Sequence, residues 1–356
     1  MDNRRFFHLW EWYYSYLNCL APDPDALIFF LFTQGKRPLA IFPLQFVTLP
    51  LGFLKLKALA FPPHDHLPLC DLICHRDAIS LPLFQRLGDH LRDGNRSWDM
   101  IQLSSLLEDA CALAVIGNHP APRFLRKHAG RCNYMDATGT YESFLAGLPK
   151  KFRWSLKRAK QDLDGLADVR FAFTHDGPEL EEKLAAFMDV EASGWKGTQG
   201  SGTAIKLNPD LSCFYRTLAR TLSADGRIAI NTLTADGKCI AAQFCIVLDH
   251  TAYLLKLGYD EGYKGYAPGN LLVDRFMERS IADPAIERIN LISDAEWFAL
   301  WRTKAYDKSQ LRIFNATPAG SIGFVLLKSQ LAIKGHYQRH LKPRLPGRVR
   351  EWIGRR

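Results

Sequence analysis

The chain has 356 residues and a mass of 40.4 kDa, enough for two domains of ordinary size. With 47% hydrophobic and 23% charged residues, its composition excludes disorder, collagen and a coiled coil. The formal charge of +9 is uneven: from Lys328 to Arg356 nine Lys/Arg face one acid, Glu351, while residues 1–327 hold the other 37 basic and 36 acidic side chains.

No run reaches the ~18–20 apolar residues that span a bilayer. The longest, Ala26–Phe32, stops at Thr33-Gln34-Gly35. The N-terminal MDNRRFFHLWEWYYSYLNCL lacks a continuous apolar stretch and a small-residue cleavage site, so no secretory signal is expected. Eight cysteines are too sparse for a disulfide framework; they are expected as reduced, buried thiols in the cytoplasm.

Strands are predicted at Ala26–Phe32, Pro38–Val47 and Leu54–Phe61, with the Gln34-Gly35-Lys36 turn between the first two. Leu81–Leu91 carries Leu83, Phe84, Leu87 and Leu91 at helical spacing, with Gly94 just past its end. Ser97–Leu106 reads as another strand. The second half repeats this order. Helices are predicted at Leu180–Ser193 and Leu211–Leu222, followed by a meander of Arg227–Leu233, Cys239–Leu248 and Thr251–Tyr259. Its corners, Asp236-Gly237 and Asp249-His250, read as tight turns, the Asp-Gly pair being a strong hairpin mark. Helix Leu271–Ser280 and strand Arg288–Ile292 then form a crossover that lets strands 251–259 and 288–292 lie parallel. The expected divisions are 1–145, 146–327 and a basic tail, 328–356.

The loop Gly265-Tyr266-Ala267-Pro268-Gly269-Asn270-Leu271 leads into the helix at 271. A helix start offers unpaired N–H groups and partial positive charge to a phosphate. Gly269 lets that backbone approach an anion, and Asn270 is a capping residue. The second half resembles the CelD/FemAB-like branch of the GNAT superfamily, in LPKKFRWSLKRAKQDL (148–163), EASGWKGTQGSGTAI (191–205), IAAQF (240–244), YLLKLGYDEGYKGYAPGNLL (253–272) and the region of Asp294 and Trp301. The resemblance spans about 145–315, and the first half shares it only in architecture. It implies an α/β (α+β) fold of tandem GNAT-like domains, each a mostly antiparallel sheet flanked by helices. It also implies that strands 251–259 and 288–292 splay to admit the arm of an acyl thioester, with Gly265–Leu271 as the phosphate loop. The sequence departs from the common Gln/Arg-x-x-Gly-x-Gly/Ala form of that loop.

Acyl transfer needs a base for the acceptor, a donor to the carbonyl oxygen and a proton for the leaving thiolate. The candidates are Glu191, before the Gly194-Trp195-Lys196-Gly197 loop; Asp294, after strand 288–292; and Tyr259. Gln243 could donate to the acyl carbonyl. Lys256, inside an apolar strand, needs a carboxylate such as Asp294 or Glu191. Tyr263 flanks the cleft, and Trp195 and Lys196 belong to a Gly194–Gly202 cover on the acceptor side. Plainer readings stand beside these: Glu191 pinning its loop, Asp294 capping the next helix, Gln243 as a satisfied core amide. The cationic KKFRWSLKRAK (150–160) is either a solvated helix back or a rim attracting an anionic acceptor. His64, His66, Cys70, Cys74 and His75 have metal-capable side chains, but Pro62, Pro63 and Pro68 disturb their spacing, and no metal is expected.

The resemblance implies an acetyltransferase that uses acetyl-CoA and acts on a small-molecule or sugar-linked amine or hydroxyl acceptor in polysaccharide or envelope biosynthesis. A Fem-type aminoacyl transferase using charged tRNA and a non-catalytic scaffold are the alternatives. The tail 328–356, which interleaves apolar and basic residues, is expected to contact an anionic membrane surface from the cytoplasmic side. Nucleic acid other than a tRNA donor is not expected.

Overall fold

The computed structural model describes residues 4–74, 81–93, 97–116, 123–337 and 340. Gly94, His75 and residues 341–356 of the sequence reading lie outside them. The first elements are α1 (Trp10–Cys19), β1 (Leu27–Gln34), β2 (Arg37–Leu51), β3 (Leu54–Ala60), β4 (Ile73–Cys74), α2 (Leu81–Asp93), β5 (Met100–Leu107), α3 (Cys111–Ile116) and β6 (Phe124–Asp136). Next come α4 (Tyr141–Gly147), α5 (Lys150–Asp164), β7 (Val169–Thr174), α6 (Glu179–Ser193), α7 (Pro209–Ser223), β8 (Ile228–Ala235), β9 (Lys238–Leu248) and β10 (Thr251–Tyr259). The last are α8 (Pro268–Ala282), β11 (Arg288–Asn290), β12 (Lys304–Phe314) and α9 (Pro318–His336).

The chain divides into two compact units, neither of them one continuous stretch. The larger holds the residues up to Asp25, Pro68–Asp71 and Gly130–Lys308; the smaller holds Ala26–Leu67, Leu72–Ala129 and the chain from Ser309. The sequence reading divides the chain at 145 and 327 instead. It could not anticipate that the N-terminal segment belongs with the larger unit, where α1 packs along α7. Phe6 sits 4.9 Å from the Tyr253 ring, and Arg4 pairs with Asp249 at 2.8 Å. A Cys19–Cys213 disulfide joins α1 to α7, the Cα atoms lying 5.6 Å apart, and the other six cysteines are free thiols. This corrects the expectation that every cysteine is reduced, and removes one argument for the cytoplasm.

In the larger unit β7, β8, β9 and β10 are antiparallel neighbours, β10 pairs parallel with β11, and β11 pairs antiparallel with β6. The two tight corners have φ of +49° and +79° at Asp236 and Gly237, and +45° and +60° at Asp249 and His250, as the twist of a hairpin requires. One sheet face is covered by α5, which buries Phe152, Leu156, Ala159 and Leu163, and by α8, which buries Leu271, Leu272, Val273, Phe276 and Met277. Phe244 points the other way, against Phe187 of α6 and Tyr215 of α7. Each such ring contributes roughly 1.5–3 kcal/mol by leaving water.

The smaller unit has the antiparallel series β1, β2, β3, with β4 antiparallel on β2 and β5 parallel to β3. Helix α9 starts at a Thr317 cap, whose Oγ1 accepts from the Gly320 N–H at 3.0 Å and donates to Asp99 at 2.6 Å. It buries Gly320, Gly323 and Leu327. Because α9 is continuous from 318 to 336, the tail boundary expected at 327 falls inside it. Among the described residues, no helix is long and apolar enough to cross a membrane.

Candidate active site

The parallel pairing of β10 with β11 covers only Thr251–Tyr253 against Arg288–Asn290. Beyond it, β10 continues to Tyr259 hydrogen-bonded to β9, with a bulge between Leu254 and Lys256. β11 is turned aside by its own side chain. The Asn290 Oδ1 accepts from the Ile292 N–H at 2.9 Å, and the Ser293 N–H reaches back to the Leu291 carbonyl at 2.7 Å. Ile292 is held at φ +66°, a conformation that costs a β-branched residue on the order of 1–3 kcal/mol. The outcome is a slot at the carboxyl ends of two parallel strands, where ligands gather in α/β sheets.

Beside the stretch of β10 beyond this pairing lies a cavity of about 330 Å³, lined by Leu257, Tyr259, Lys264, Ala267, Pro268, Gly269, Asn270 and Trp297. The chain reaches it through a 3-10 turn, Glu261–Tyr266, stapled by Asp260. The Asp260 Oδ1 accepts from the Gly262 N–H at 2.9 Å and its Oδ2 from Lys238 Nζ at 2.7 Å. The bond from Lys238 holds the Asp260 carboxyl below its usual range. Ala267 then takes φ +46°, and Pro268 opens α8 at its first position. A Cβ on Gly269 would lie 3.3 Å from Leu257 and 3.4 Å from Tyr259, so a side chain there would crowd the cavity wall. The first-turn N–H groups of α8 have no earlier carbonyl in the helix to bond, and with Lys264 they give the cavity a positive end. An apolar slot ending in a helix N-terminus fits an elongated ligand with an anionic terminus, the shape and charge of an acyl-CoA.

Of the expected phosphate loop, Ala267, Pro268, Gly269 and Asn270 line the cavity, and Gly265 and Tyr266 precede it on the 3-10 turn. Leu271 is corrected: it is 3% exposed and packs in the core behind the helix start. Tyr259 lines the cavity. Tyr263 sits behind it, packed on the core with the Lys238 ammonium 5.4 Å from its ring.

Glu191 lies elsewhere. A Cβ on Gly258 would come within 2.6 Å of the Glu191 Cα, so α6 rides on the Gly258 face of β10, opposite to Leu257 and Tyr259. Both of its carboxylate oxygens are committed: Oε1 accepts from Lys196 Nζ at 2.8 Å and Oε2 from the Ile205 N–H at 2.9 Å. Glu191 therefore pins the loop that follows α6, which corrects its reading as a base. Lys196 is likewise spent on this clamp, and Lys256 is half-buried on the Gly258 face. Trp195, 63% exposed, donates its N–H to Glu261 at 3.1 Å and so ties the Gly-rich loop to the 3-10 turn.

Asp294 is also corrected. It is exposed, and its Oδ2 accepts from the Arg131 N–H at 3.2 Å, which makes it an anchor for β6 rather than part of the cavity wall. Gln243 is fully buried opposite Leu257, and its Oε1 accepts from Asn231 Nδ2 at 2.9 Å. Its Nε2 has no hydrogen-bond partner among the described residues, which leaves this amide half satisfied.

Sequence reasoning missed Leu257, Lys264 and Trp297 in the wall and Asp260 beneath it. Asp260 was recoverable from Asp-x-Gly, the pattern of an Asx turn. Trp297 was not, because its place depends on the turn at Ile292. One helical turn beyond Asn270, Asp274 accepts from the Tyr141 hydroxyl at 2.8 Å. Burial pushes its carboxyl up to about 6, against the opposing pull of that bond. Among the described residues, no group of three or more His, Cys, Asp or Glu side chains is disposed to hold a metal. His64 instead caps the His66 N–H at 3.1 Å, and burial pushes the Cys70 thiol up to about 12.

Comparison of the sequence with curated proteins finds no match. Residues 150–298 match the family model described as acetyltransferase (GNAT) domain. Among solved structures, the crystal structure of FemX is similar with a TM-score of 0.59 at 10% identity, covering 90% of this chain and 94% of its own. The structure of L-PGS from Bacillus licheniformis is similar with a TM-score of 0.52 at 12% identity, covering 85% of this chain and 88% of its own. At these identities the likeness is one of fold. The diverging strands and the start of α8 lie within the span 150–298 that matches the GNAT domain model, in a chain of mixed α/β fold.

Proposed function

We propose that the larger unit is an acyltransferase of the CelD/FemAB-like branch that takes an acetyl group from acetyl-CoA and places it on an amine or hydroxyl of a sugar-linked acceptor in polysaccharide or envelope biosynthesis. One observation carries this reading: β11 leaves β10 after Tyr253, just where the wall of β10 leads to the open N-terminus of α8. The bound thioester would supply an activated acyl group. The side of β10 from which β11 departs after Tyr253 would align its arm, and the α8 N–H groups with Lys264 would hold its phosphates. Tyr259 lines the cavity beside Gly269 and is the sequence candidate to protonate the leaving thiolate. With Glu191 and Asp294 engaged elsewhere, this site supplies no carboxylate base from those positions. A coenzyme A donor would put the reaction on the cytoplasmic side.

A Fem-type aminoacyl transfer is the second reading. It is favoured by α5, which packs against the 3-10 turn and carries Lys150, Lys151, Arg153 and Lys157 without carboxylate partners among the described residues. A tRNA acceptor end would find those cations beside the site. Calorimetry with acetyl-CoA, longer acyl-CoAs and free coenzyme A, set beside filter binding of charged tRNA, decides between them. Saturable acetyl-CoA binding supports the first reading and tight tRNA binding without it the second. Binding of neither leaves the scaffold reading.

A further inference from the structure

Helix α9 packs through one face and leaves the opposite one bare. At 100° per residue, Gly320, Gly323 and Leu327 form the buried side, over Leu56 and Phe314. Ile322, Val325, Leu326 and Ile333 fall on the far side, with Ile322, Val325 and Ile333 exposed by 45%, 60% and 69%. Lys328 stands on one flank of that stripe, its ammonium 5.5 Å from the Phe324 ring, and Lys334 lies exposed beyond Leu327 on the azimuth of the buried side. Gly320 lies beside Asp99 and Gly323 beside Leu56 of β3, the strand that follows the β2–β3 turn. There Phe53 is 83% exposed. The sequence that continues from Lys328 carries nine Lys/Arg against one acid, with Leu341, Val349, Trp352 and Ile353 among them.

We propose that this face of α9, with Phe53, docks on an anionic lipid surface. Apolar side chains would enter the boundary between headgroups and acyl chains while Lys328 on the flank reaches back to phosphates. Charge decides between possible occupants. A second copy would bring two segments of like, strongly positive charge together, and a nucleic acid would offer nothing for the Ile322–Ile333 stripe to cover. An anionic bilayer satisfies both the charge and the apolar surface. The proposal does not depend on the transfer chemistry.

The test is co-sedimentation of the full chain with phosphatidylglycerol–phosphatidylcholine vesicles and with pure phosphatidylcholine. Binding is expected only to the anionic vesicles and should weaken with salt. The double variant Val325→Ser/Ile333→Ser leaves the charge unchanged and touches no buried contact. It should bind about tenfold more weakly with an unaltered melting temperature, and Phe53→Ser about threefold more weakly. Undiminished binding by both variants would overturn the proposal. So would a wild-type dimer that the serine variant dissolves, or RNA binding without vesicle binding.

Discussion

In the larger unit the parallel pair meets at the start of β10, at Thr251–Tyr253, and β10 then runs on to Tyr259 without β11. In the smaller unit the parallel pair meets at the end of β3, Ala58–Ala60 against Met100–Gln102, so no stretch of β3 runs on beyond its neighbour. The continuations differ as well: α8 opens at Pro268, shortly after β10, whereas β3 is followed by Phe61-Pro62-Pro63 and no helix before Leu81 among the described residues. Both units place an antiparallel series beside a parallel strand. Among the described residues, the larger unit is the one whose parallel strand stops early with a helix start close behind, and the proposed donor site rests on that difference in the length of one pairing.

The sharpest way to break this comparison is Gly269→Arg. The new side chain must enter the wall formed by Leu257 and Tyr259, and acyl-CoA affinity should fall about 100-fold or more by calorimetry. Circular dichroism should show the fold retained, and an unchanged affinity would move the donor away from α8. Glu191→Ala comes next. It strips the hydrogen bonds to Lys196 and Ile205 and should cost roughly 2–3 kcal/mol in urea unfolding. Hydrogen exchange should then quicken across 195–205 but not along β3. A loss of turnover with stability intact would restore Glu191 as a base.

Asp274→Asn tests the helix that carries the site. Burial raises the native carboxyl to about 6, so its contribution is full below the unfolded value of ~3.9 and is lost as pH rises through about 6. An asparagine stays neutral throughout. The variant should match the wild type near pH 4 and be more stable by roughly 2 kcal/mol at pH 7, read from paired urea melts. Equal stability at both pH values would show that the Asp274 carboxyl is not raised in the folded state. The smallest effect expected is from Lys264→Ala, which should weaken acyl-CoA binding about fivefold, less at high salt, with Lys264→Arg restoring most of it.

The meander, the crossover and the α8 start were legible because their marks are local: period-two apolar runs, an Asp-Gly corner, a Pro-Gly before a helical pattern. β6 and β12 escaped notice for the converse reason. Phe124–Asp136 is largely half-buried or exposed and reads as neither period two nor helix, and Lys304–Phe314 alternates only in its second part. Glu191 and Asp294 were placed near the chemistry on their position at element ends. Which face of β10 a helix covers, and what the Asp294 carboxylate meets, are set by partners distant in sequence, Gly258 and Arg131 among them. The disulfide was missed because cysteine number says nothing about which helices lie side by side.

The anchoring of α1 has a practical corollary. The span recognised as a GNAT domain begins at residue 150, yet Phe6, Cys19 and the β6 residues Tyr134–Asp136 complete its hydrophobic and sheet boundaries from far upstream. A fragment cut at the recognised limits would bare Tyr253 and Cys213 and leave β11 as a raw edge, inviting aggregation. Expression of this enzyme candidate must therefore keep its N-terminal residues.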